Sequence, residues 1–216
     1  MLSKGKLITI EGLDCAGKTS QIKVLKETLE NLGYTVITGR EPGGTGIGEL
    51  IREILLHKAE MDRTTELLLF TASRIQNIKQ VILPAISEGK VVILDRFIDS
   101  TYAYQGYGRG CMEDVMRLES MVTSLIVPDY TLYLSISLET AQQRMHTRQG
   151  QVKDRFDDSD LKFKQRILDG YNNRAETDSE RIMTISAEGS LASVSEMIQF
   201  WANEVFHAEQ NLTKSL

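Results

Sequence analysis

Five short apolar segments alternate along the chain with longer stretches of helical periodicity. The apolar segments have strand length and are rich in β-branched residues, and they lack strict polar alternation, which is typical of strands buried on both faces. They are KLITI (6–10), YTVIT (34–38), VVILD (91–95), YTLYLSI (130–136) and RIMTIS (181–186). Helical patterns lie at 18–32, 46–57, 64–88, 112–124, 138–147, 160–177 and 190–206. The repeated order of strand then helix predicts an α/β fold with three layers, in which helices cover both faces of a central five-stranded parallel sheet.

Nothing in the composition divides the 216 residues into separate units. The chain contains only three prolines and has no linker rich in Pro, Gly or Ser and no internal repeat. Its 41% hydrophobic and 25% charged residues are typical of a globular protein. We therefore expect one domain spanning residues 1–216, with a frayed tail after Phe206.

Charge and cysteine usage narrow the class of protein further. A net charge of -5 argues against a general nucleic-acid-binding surface, because such surfaces are usually basic. No apolar run approaches the ~18 residues of a membrane span. The two cysteines, Cys15 and Cys111, are far apart in the sequence and do not suggest a disulfide framework. These features predict a cytoplasmic protein that binds neither nucleic acid nor membranes.

A glycine-rich segment between the first strand and the first helix has the pattern of a phosphate-binding loop. Residues 12–19 read GLDCAGKT and match G-x-x-x-x-G-K-[ST]. Glycines let successive backbone N–H groups point at an anion, and the following helix adds its positive N-terminal end. A chance match is the alternative, but the strand–loop–helix context argues against it. The predicted nucleotide-binding residues are Gly12, Leu13, Asp14, Cys15, Ala16, Gly17, Lys18 and Thr19.

A carboxylate at the end of another apolar strand is the second candidate for phosphate chemistry. Asp95 ends VVILD, and the Thr19 hydroxyl of the loop is the other expected ligand of Mg²⁺. Alternatively, Asp95 only ends a strand, but the neighbouring phosphate loop favours the metal role. An N-K-x-D tetrapeptide, which a GTPase would use to read guanine, does not occur in the sequence.

Three further segments carry side chains suited to a second anion and a base. Arg40 and Arg52 frame a glycine-rich loop and a helix, and Phe70 and Arg74 lie at i and i+4 on one helical face. Separately, Phe70 could belong to the core and Arg74 could be a solvated charge. Together, the segments indicate a second site with arginines for a phosphate, an aromatic ring for a base and polar groups for base edges. The third segment contributes Arg96, Thr101, Tyr104 and Gln105.

In order and spacing, these motifs resemble those of bacterial thymidylate kinases. The matching segments are the phosphate loop, REPGGT (40–45), FTASR (70–74), DRFIDSTYAYQG (95–106) and a later arginine-bearing stretch. The resemblance covers nearly the whole chain and weakens after about residue 178. It implies a P-loop NTPase-type fold with a short lid, and ATP-dependent phosphorylation of dTMP to dTDP in dTTP biosynthesis. It also implies Mg²⁺ as cofactor and a homodimer, formed through exposed parts of the helices near 46–57, 64–88 and 112–124.

The resemblance assigns roles around the acceptor base. Phe70 is expected to stack on thymine, and Arg74 to bind the base edge with Thr101 and Gln105. The ring of Tyr104 is expected to occupy the space that a ribose 2′-hydroxyl would need, which favours the deoxy sugar.

The resemblance also assigns roles around the acceptor phosphate and sugar. Arg52 and Arg96 are expected to hold the phosphate of dTMP, and Asp14 to lie near the 3′-hydroxyl. Glu41 and Pro42 mark a sharp turn that is often a cis peptide in the family. The nucleophile is a phosphate oxygen, already ionised near neutral pH because its second pKa is about 6, so no side-chain base is required.

A polar segment at about 147–158 interrupts the α/β pattern and is the expected lid. In some relatives an arginine occupies the position of Cys15, and a cysteine cannot supply that charge to the transferred phosphoryl group. The resemblance then implies an arginine from the lid, either Arg148 or Arg155, with Arg144 one helical turn earlier. The alternative is a solvated loop. The predicted catalytic residues are Lys18, Asp95, Arg96, Arg148 and Arg155.

Two other functions fit parts of the same pattern. One is a kinase for a different nucleoside, its monophosphate or a small acid, and Phe70, Arg74 and Gln105 are the residues that argue against it. The other is a nucleotide-binding regulator without catalysis. The presence of Lys18, Thr19, Asp95 and Arg96 argues against a regulator.

Overall fold

A fully parallel five-stranded sheet forms the centre of the molecule. The computed structural model describes residues 5–57, 61–147, 156 and 160–214. The strand order is β2-β3-β1-β4-β5, and each neighbouring pair is parallel. The strands are β1 (Lys6–Glu11), β2 (Val36–Arg40), β3 (Val91–Asp95), β4 (Tyr130–Ser135) and β5 (Ile182–Ser186). This arrangement confirms the predicted α/β fold and its five-stranded parallel sheet.

Helices connect the strands. They are α1 (Lys18–Asn31), α2 (Gly46–His57), α3 (Arg63–Asn77), α4 (Leu83–Ser87), α5 (Ile98–Thr101), α6 (Met112–Thr123), α7 (Leu138–Thr147), α8 (Leu161–Thr177) and α9 (Leu191–Lys214). Two wider π-helical segments, Ile78–Ile82 and Tyr102–Gly108, continue α3 and α5. None of the helices in the described part of the chain is both long and apolar enough to cross a membrane.

Two hydrophobic cores lie on opposite faces of the sheet. Neighbouring strand residues point to opposite faces, so Ile8 packs into one core and Leu7 into the other. In the same way, Ile93 belongs to the first core and Val92 to the second. Both kinds of position must be apolar, which is why the strands show no clean alternation of polar and apolar residues.

The structure corrects the predicted helix at 64–88. The segment consists of α3, the π-helical segment Ile78–Ile82 and α4, with Pro84 in the first turn of α4. Proline has no N–H to donate to the preceding turn, and its ring clashes with the carbonyl four residues earlier in a regular helix. The wider π turn lies where that clash would otherwise occur.

Helical structure also occurs at residues 98–108, where the sequence analysis predicted none. This stretch packs tightly against α8: a Cβ on Gly170 would lie 2.9 Å from Ala103 Cα. Contacts with residues far away in the sequence therefore stabilise the helical stretch 98–108, rather than a helical spacing of its own apolar residues. At the other end, the prediction of a frayed tail after Phe206 was wrong, because α9 continues to Lys214.

A buried cluster of ion pairs links α5 to α6, α8 and the start of β5. The side chain of Asp99 accepts hydrogen bonds from Arg174 Nε at 2.9 Å and from Arg181 Nη1 and Nη2, both at 2.8 Å. Arg174 also pairs with Glu119 on α6, and Arg181 pairs with Asp178. The cluster therefore connects α5, α6, α8 and the start of β5, and it supports the segment that follows β3.

Candidate active site

The phosphate loop joins β1 to α1 through backbone conformations that side chains rarely adopt. Gly12 has φ 139°, Cys15 has φ 66° and Gly17 has φ 97°. A Cβ on Gly12 would lie 2.5 Å from the carbonyl oxygen of Leu134, so only glycine fits there. The loop ends at the N-terminus of α1, where free N–H groups and the helix dipole favour an anion. The local geometry is therefore that of a phosphate cradle.

Lys18 lies within this cradle and is directed at its backbone. Its Nζ donates to the carbonyl oxygens of Leu13 at 3.0 Å and Gly12 at 3.3 Å. Burial, followed by the nearby charge of Arg96, lowers the pKa of Lys18. A bound polyphosphate would offer this ammonium group stronger acceptors than the carbonyl oxygens it now contacts.

Two oxygen-bearing side chains suitable for Mg²⁺, Thr19 in the first turn of α1 and Asp95 at the end of β3, lie side by side. The strands are in register with Ile10 beside Asp95, and the Thr19 hydroxyl donates to Asp95 Oδ2 at 3.4 Å. Mg²⁺ prefers oxygen ligands and usually completes its shell with phosphates and water. The pair fits that donor set. The described residues contain no group of three or more His, Cys, Asp or Glu side chains that could hold a metal by itself.

The guanidinium of Arg96 links the phosphate loop to the helices beyond β3. Its Nη2 donates to Asp14 Oδ1 at 2.7 Å and to the Tyr104 hydroxyl at 3.0 Å. Its Nη1 contacts the Gly12 carbonyl oxygen, the Ser100 hydroxyl and the Tyr171 hydroxyl. These three contacts measure 3.0, 3.2 and 2.8 Å. The backbone at Arg96 has φ 71°, an unusual value for a residue with a long side chain.

The pKa values of two carboxylates near Arg96 are shifted in opposite directions. Burial alone would raise the pKa of Asp14, but the charges of Arg96 and Lys18 outweigh it and hold that pKa far below its usual value. Burial, together with the charge of Asp99, raises the pKa of Glu11 to about 7. Glu11 Oε2 accepts the Ser100 hydroxyl, which in turn contacts Arg96. Asp14 is therefore ionised at pH 7, whereas Glu11 gains or loses its proton near pH 7.

A second cluster holds Arg74 at the opposite wall. Arg74 is 3% exposed, and its Nε donates to Glu41 Oε2 at 2.7 Å. Its Nη1 donates to the Thr101 hydroxyl at 2.7 Å and its Nη2 to the Phe97 carbonyl oxygen at 2.9 Å. The Glu41–Pro42 peptide bond is cis, as the family resemblance suggested. These contacts fix the plane of the guanidinium.

The phosphate loop and the Arg74 cluster line one cavity of about 750 Å³. The following predicted site residues line this cavity: Asp14, Cys15, Gly17, Lys18, Thr19, Glu41, Pro42, Arg52, Phe70, Arg74, Asp95, Arg96, Thr101, Tyr104 and Gln105. Arg52 Nη1 also donates to the Pro42 carbonyl oxygen at 2.9 Å, which places this arginine at the turn after β2. Residues from five segments of the sequence therefore meet in one space.

Several predicted site residues lie elsewhere. Gly12 is not among the lining residues, and the side chains of Leu13 and Ala16 belong to the hydrophobic core. Only the backbone of these three residues can serve the loop. The two lid arginines, Arg148 and Arg155, lie outside the described residues, as does most of the expected lid at 147–158.

The structure also brings to the site three residues that the sequence did not predict there, Ser100, Tyr171 and Phe156, together with Arg144, which was named only beside the lid arginines. Ser100 lines the cavity and Tyr171 contacts Arg96 from α8, 75 positions away in the sequence. Phe156 lies against Phe70, with ring centroids 6.3 Å apart. Arg144 lines the cavity near the loop and donates to the Ala187 carbonyl oxygen at 2.7 Å. Only Arg144 had a signal in the sequence, as the arginine one turn before the predicted lid.

The fold and the cavity together define a class of enzyme. A phosphate loop at the carboxyl edge of a parallel sheet binds the phosphates of a nucleotide. A second pocket, lined by arginines and an aromatic ring, faces it across the same space. This is the arrangement of a P-loop kinase that transfers a phosphoryl group to a small acceptor.

Comparisons with known proteins identify the particular family. Residues 10–198 match the family model described as thymidylate kinase. The chain is 42% identical over 197 residues to a thymidylate kinase of Caldanaerobacter subterraneus subsp. tengcongensis, covering 90% of this chain and 93% of the relative. It is 46% identical over 189 residues to one of Pelotomaculum thermopropionicum, covering 85% and 86%. The crystal structure of thymidylate kinase from Ehrlichia chaffeensis matches with a TM-score of 0.72 at 30% identity, covering 94% of this chain and 98% of that one.

The chain therefore belongs to the thymidylate kinase family. This confirms the resemblance seen in the sequence motifs and, with it, the P-loop NTPase fold. Enzymes of this family phosphorylate dTMP to dTDP with ATP as the phosphate donor.

Proposed function

We propose that the enzyme binds ATP at the phosphate loop and dTMP at the Phe70 end of the same cavity, and that the γ-phosphoryl group passes directly between them. The observation that carries this assignment is the continuity of the cavity, which is lined by Lys18 and Thr19 at one end and by Phe70, Arg74 and Gln105 at the other. The resulting activity is the formation of dTDP, within one kinase domain spanning residues 1–216.

The residues suit a transfer that depends on position and charge. Two polyanions must approach in line, with negative charge spread over the transferred group. Lys18 supplies a cation on the loop side, and Arg52 and Arg96 supply cations for the acceptor phosphate. Because the attacking phosphate oxygen is already ionised, its proton does not have to be removed by a side chain.

The base pocket favours a thymine nucleotide. Phe70 offers a ring for stacking, and Arg74 offers only N–H donors to a carbonyl on the base edge. Tyr104 is 9% exposed, and its hydroxyl donates to Asp14 Oδ2 at 3.1 Å while also accepting from Arg96. The ring is therefore held in the space beside the sugar, where it disfavours a 2′-hydroxyl.

Mg²⁺ is the cofactor that the Thr19–Asp95 pair supports. When bound, the ion neutralises charge on the β- and γ-phosphates. Thr19 would ligate it directly and Asp95 would hold it or its waters. Formation of dTDP that persists at an undiminished rate in excess EDTA would refute this role.

A lid arginine remains a prediction from the sequence. Cys15 lines the cavity and brings no charge to the transferred group, so Arg148 or Arg155 is proposed to supply it. Replacing each of them with alanine is expected to lower kcat strongly while dTMP affinity stays nearly unchanged. Wild-type turnover in both variants would end this proposal.

A homodimer is supported by exposed apolar side chains on three adjoining helices. Helix α2 packs against α3, and α3 packs against α6. Their large exposed hydrophobic residues are Ile47, Leu50, Ile54, Leu68, Met116 and Met121. We propose that this face pairs with a second copy, which sedimentation would show as twice the mass of 24.3 kDa.

A cytoplasmic location is proposed because Cys15 and Cys111 are both free thiols, and cell fractionation would test it.

Replacing Phe70 with alanine tests the acceptor end of the cavity. Stacking of a base on an aromatic ring contributes about 1–3 kcal/mol, so we expect the KM for dTMP to rise about 5- to 150-fold. The KM for ATP should stay within about twofold, because ATP is proposed to bind at the phosphate-loop end of the cavity. A coupled assay of ADP formation measures both constants.

The matched control is Phe200→Ala on α9, where the ring is 70% exposed and does not line the cavity. It should leave both KM values unchanged. An unchanged KM for dTMP in a folded Phe70→Ala variant would show that the acceptor binds elsewhere. Extending the assay to dUMP, dCMP and thymidine, as well as dTMP, would separate this enzyme from other small-nucleotide kinases.

A further inference from the structure

A buried carboxylate outside the cavity contacts the side chain of Gln105. Glu66, in the first turn of α3, is 1% exposed, and Gln105 is also 1% exposed. Gln105 Nε2 donates to Glu66 Oε1 at 2.7 Å. Arg109 holds the same carboxylate, with Nε 3.3 Å from Oε1 and Nη2 3.1 Å from Oε2. Glu66 does not line the cavity, whereas Gln105 does.

This contact determines which end of the Gln105 amide faces the ligand. A carboxylate can only accept hydrogen bonds, so it must face the NH₂ group of the amide rather than its oxygen. The orientation follows from the chemistry of the pair. Among the described residues, no hydrogen bond to Gln105 Oε1 is found, although the side chain is almost fully buried. The oxygen is thus the end available to a base in the cavity.

We propose that Glu66 is a specificity-determining positioning residue, which makes Gln105 present a hydrogen-bond acceptor to the base and thereby selects a pyrimidine that carries an N3–H donor. The proposal rests on the proposed function, in which the base of the acceptor nucleotide lies between Phe70, Arg74 and Gln105. Glu66 acts through Gln105 and touches neither substrate.

The two base-reading side chains then form a pattern that matches thymine. Arg74 is held by Glu41 and can only donate, which suits the O4 carbonyl. Gln105 is held by Glu66 and accepts, which suits N3–H. Cytosine presents the reverse pattern at both positions: an amino donor at C4 and an acceptor at N3. Glu66 therefore sets which end of the Gln105 amide faces the base, whereas Glu41 only helps to hold the guanidinium of Arg74 in place.

The sharpest probe is 5-methyl-dCMP, because it keeps the methyl group, sugar and phosphate of dTMP and reverses only the base edge. Wild-type enzyme should prefer dTMP strongly in kcat/KM. In Glu66→Gln, residue 66 also gains an NH₂ group, so the Gln105 amide can turn and present its own NH₂ to the base. We expect the ratio of kcat/KM for dTMP over 5-methyl-dCMP to fall at least about tenfold, through a higher KM for dTMP and a gain with 5-methyl-dCMP.

A purely structural role for Glu66 gives a different result. Loss of packing or stability would reduce kcat/KM for both acceptors by the same factor and leave their ratio unchanged, and that outcome would overturn the proposal. The matched control is Glu119→Gln, the same change at a carboxylate that pairs with Arg174 away from the cavity. It should not alter the ratio.

A double variant keeps the proposal testable if Glu66→Gln does not fold. In Glu66→Gln with Gln105→Glu, the amide at 66 donates to the carboxylate at 105, which again offers an acceptor to N3–H. The ratio of kcat/KM for dTMP over 5-methyl-dCMP should return to within about threefold of the wild-type ratio. A folded double variant without that preference would contradict the proposal.

Different results would refute the proposed acceptor site and the proposed role of Glu66. If the wild-type enzyme did not bind dTMP near Phe70, the Phe70→Ala variant would show it and the proposed site would be wrong. If wild-type enzyme and Phe70→Ala behave as expected but Glu66→Gln keeps the wild-type ratio, only the role of Glu66 is refuted.

Discussion

Replacing Arg96 with lysine is expected to lower kcat for dTDP formation by about a thousandfold in a protein that still folds, a loss of about 4 kcal/mol in transition-state stabilisation. One planar guanidinium reaches five acceptors around it, including Asp14 Oδ1 at 2.7 Å and the Gly12 carbonyl oxygen at 3.0 Å. The single ammonium of lysine cannot span the loop and the helices together, although it keeps the positive charge. The variant would lose the side chain that joins the phosphate loop to Ser100 and Tyr104.

The measurement is kcat at saturating ATP and dTMP, with the melting temperature recorded alongside. Arg117→Lys on α6 is the matched control, because Arg117 is 70% exposed and its ion pairs are with residues of its own helix. It should retain wild-type kcat. A kcat for Arg96→Lys within tenfold of wild type would mean that charge alone is required at this position.

The sequence predicts those parts of the site that depend on residues close to one another along the chain. The phosphate loop follows from glycine spacing between one strand and one helix, and Asp95 follows from its place at the end of a buried strand. Phe70 and Arg74 share a helical face through their i, i+4 spacing. Each of these signals lies within one segment of the chain.

The parts that the sequence does not predict depend on contacts between distant segments. Tyr171 reaches Arg96 from α8, and Glu66 meets Gln105 across 39 positions. In the sequence, Glu66 is only a charged residue near a helix start, where a solvated position is the ordinary expectation. The helical stretch 98–108 escaped prediction for the same reason, because packing against Gly170 supports it rather than a local period.

The same dependence on distant contacts makes Asp99 a sensitive position for stability. Asp99→Asn is expected to lower the free energy of unfolding at pH 7 by about 3 kcal/mol, because removing one partner of a buried ion pair leaves charge uncompensated. Within the part of the chain that the structure describes, Arg174 and Arg181 would each keep one acidic partner, Glu119 and Asp178 respectively. This corresponds to a decrease of about 6–12 °C in melting temperature for a chain of this size.

The effect should depend on pH in a defined direction. Burial alone would raise the pKa of Asp99, but the hydrogen bonds and charge of Arg181, and then those of Arg174, outweigh it and lower that pKa. A carboxyl whose pKa is lower in the folded state stabilises the fold fully above its unfolded pKa of about 3.9. That contribution is lost as the pH falls through the lower folded value.

Urea unfolding of both proteins at one protein concentration tests this at pH 5 and pH 3.5. Both values lie below the range in which Glu11 titrates, because its pKa of about 7 depends in part on the charge of Asp99. The difference in unfolding free energy between wild type and Asp99→Asn should be smaller at pH 3.5 than at pH 5. Asp178→Asn is the matched control: its side chain is 35% exposed, and its loss should cost less than about 1 kcal/mol. A difference that grew between pH 5 and pH 3.5 would show that Asp99 is not the ionised centre of the cluster.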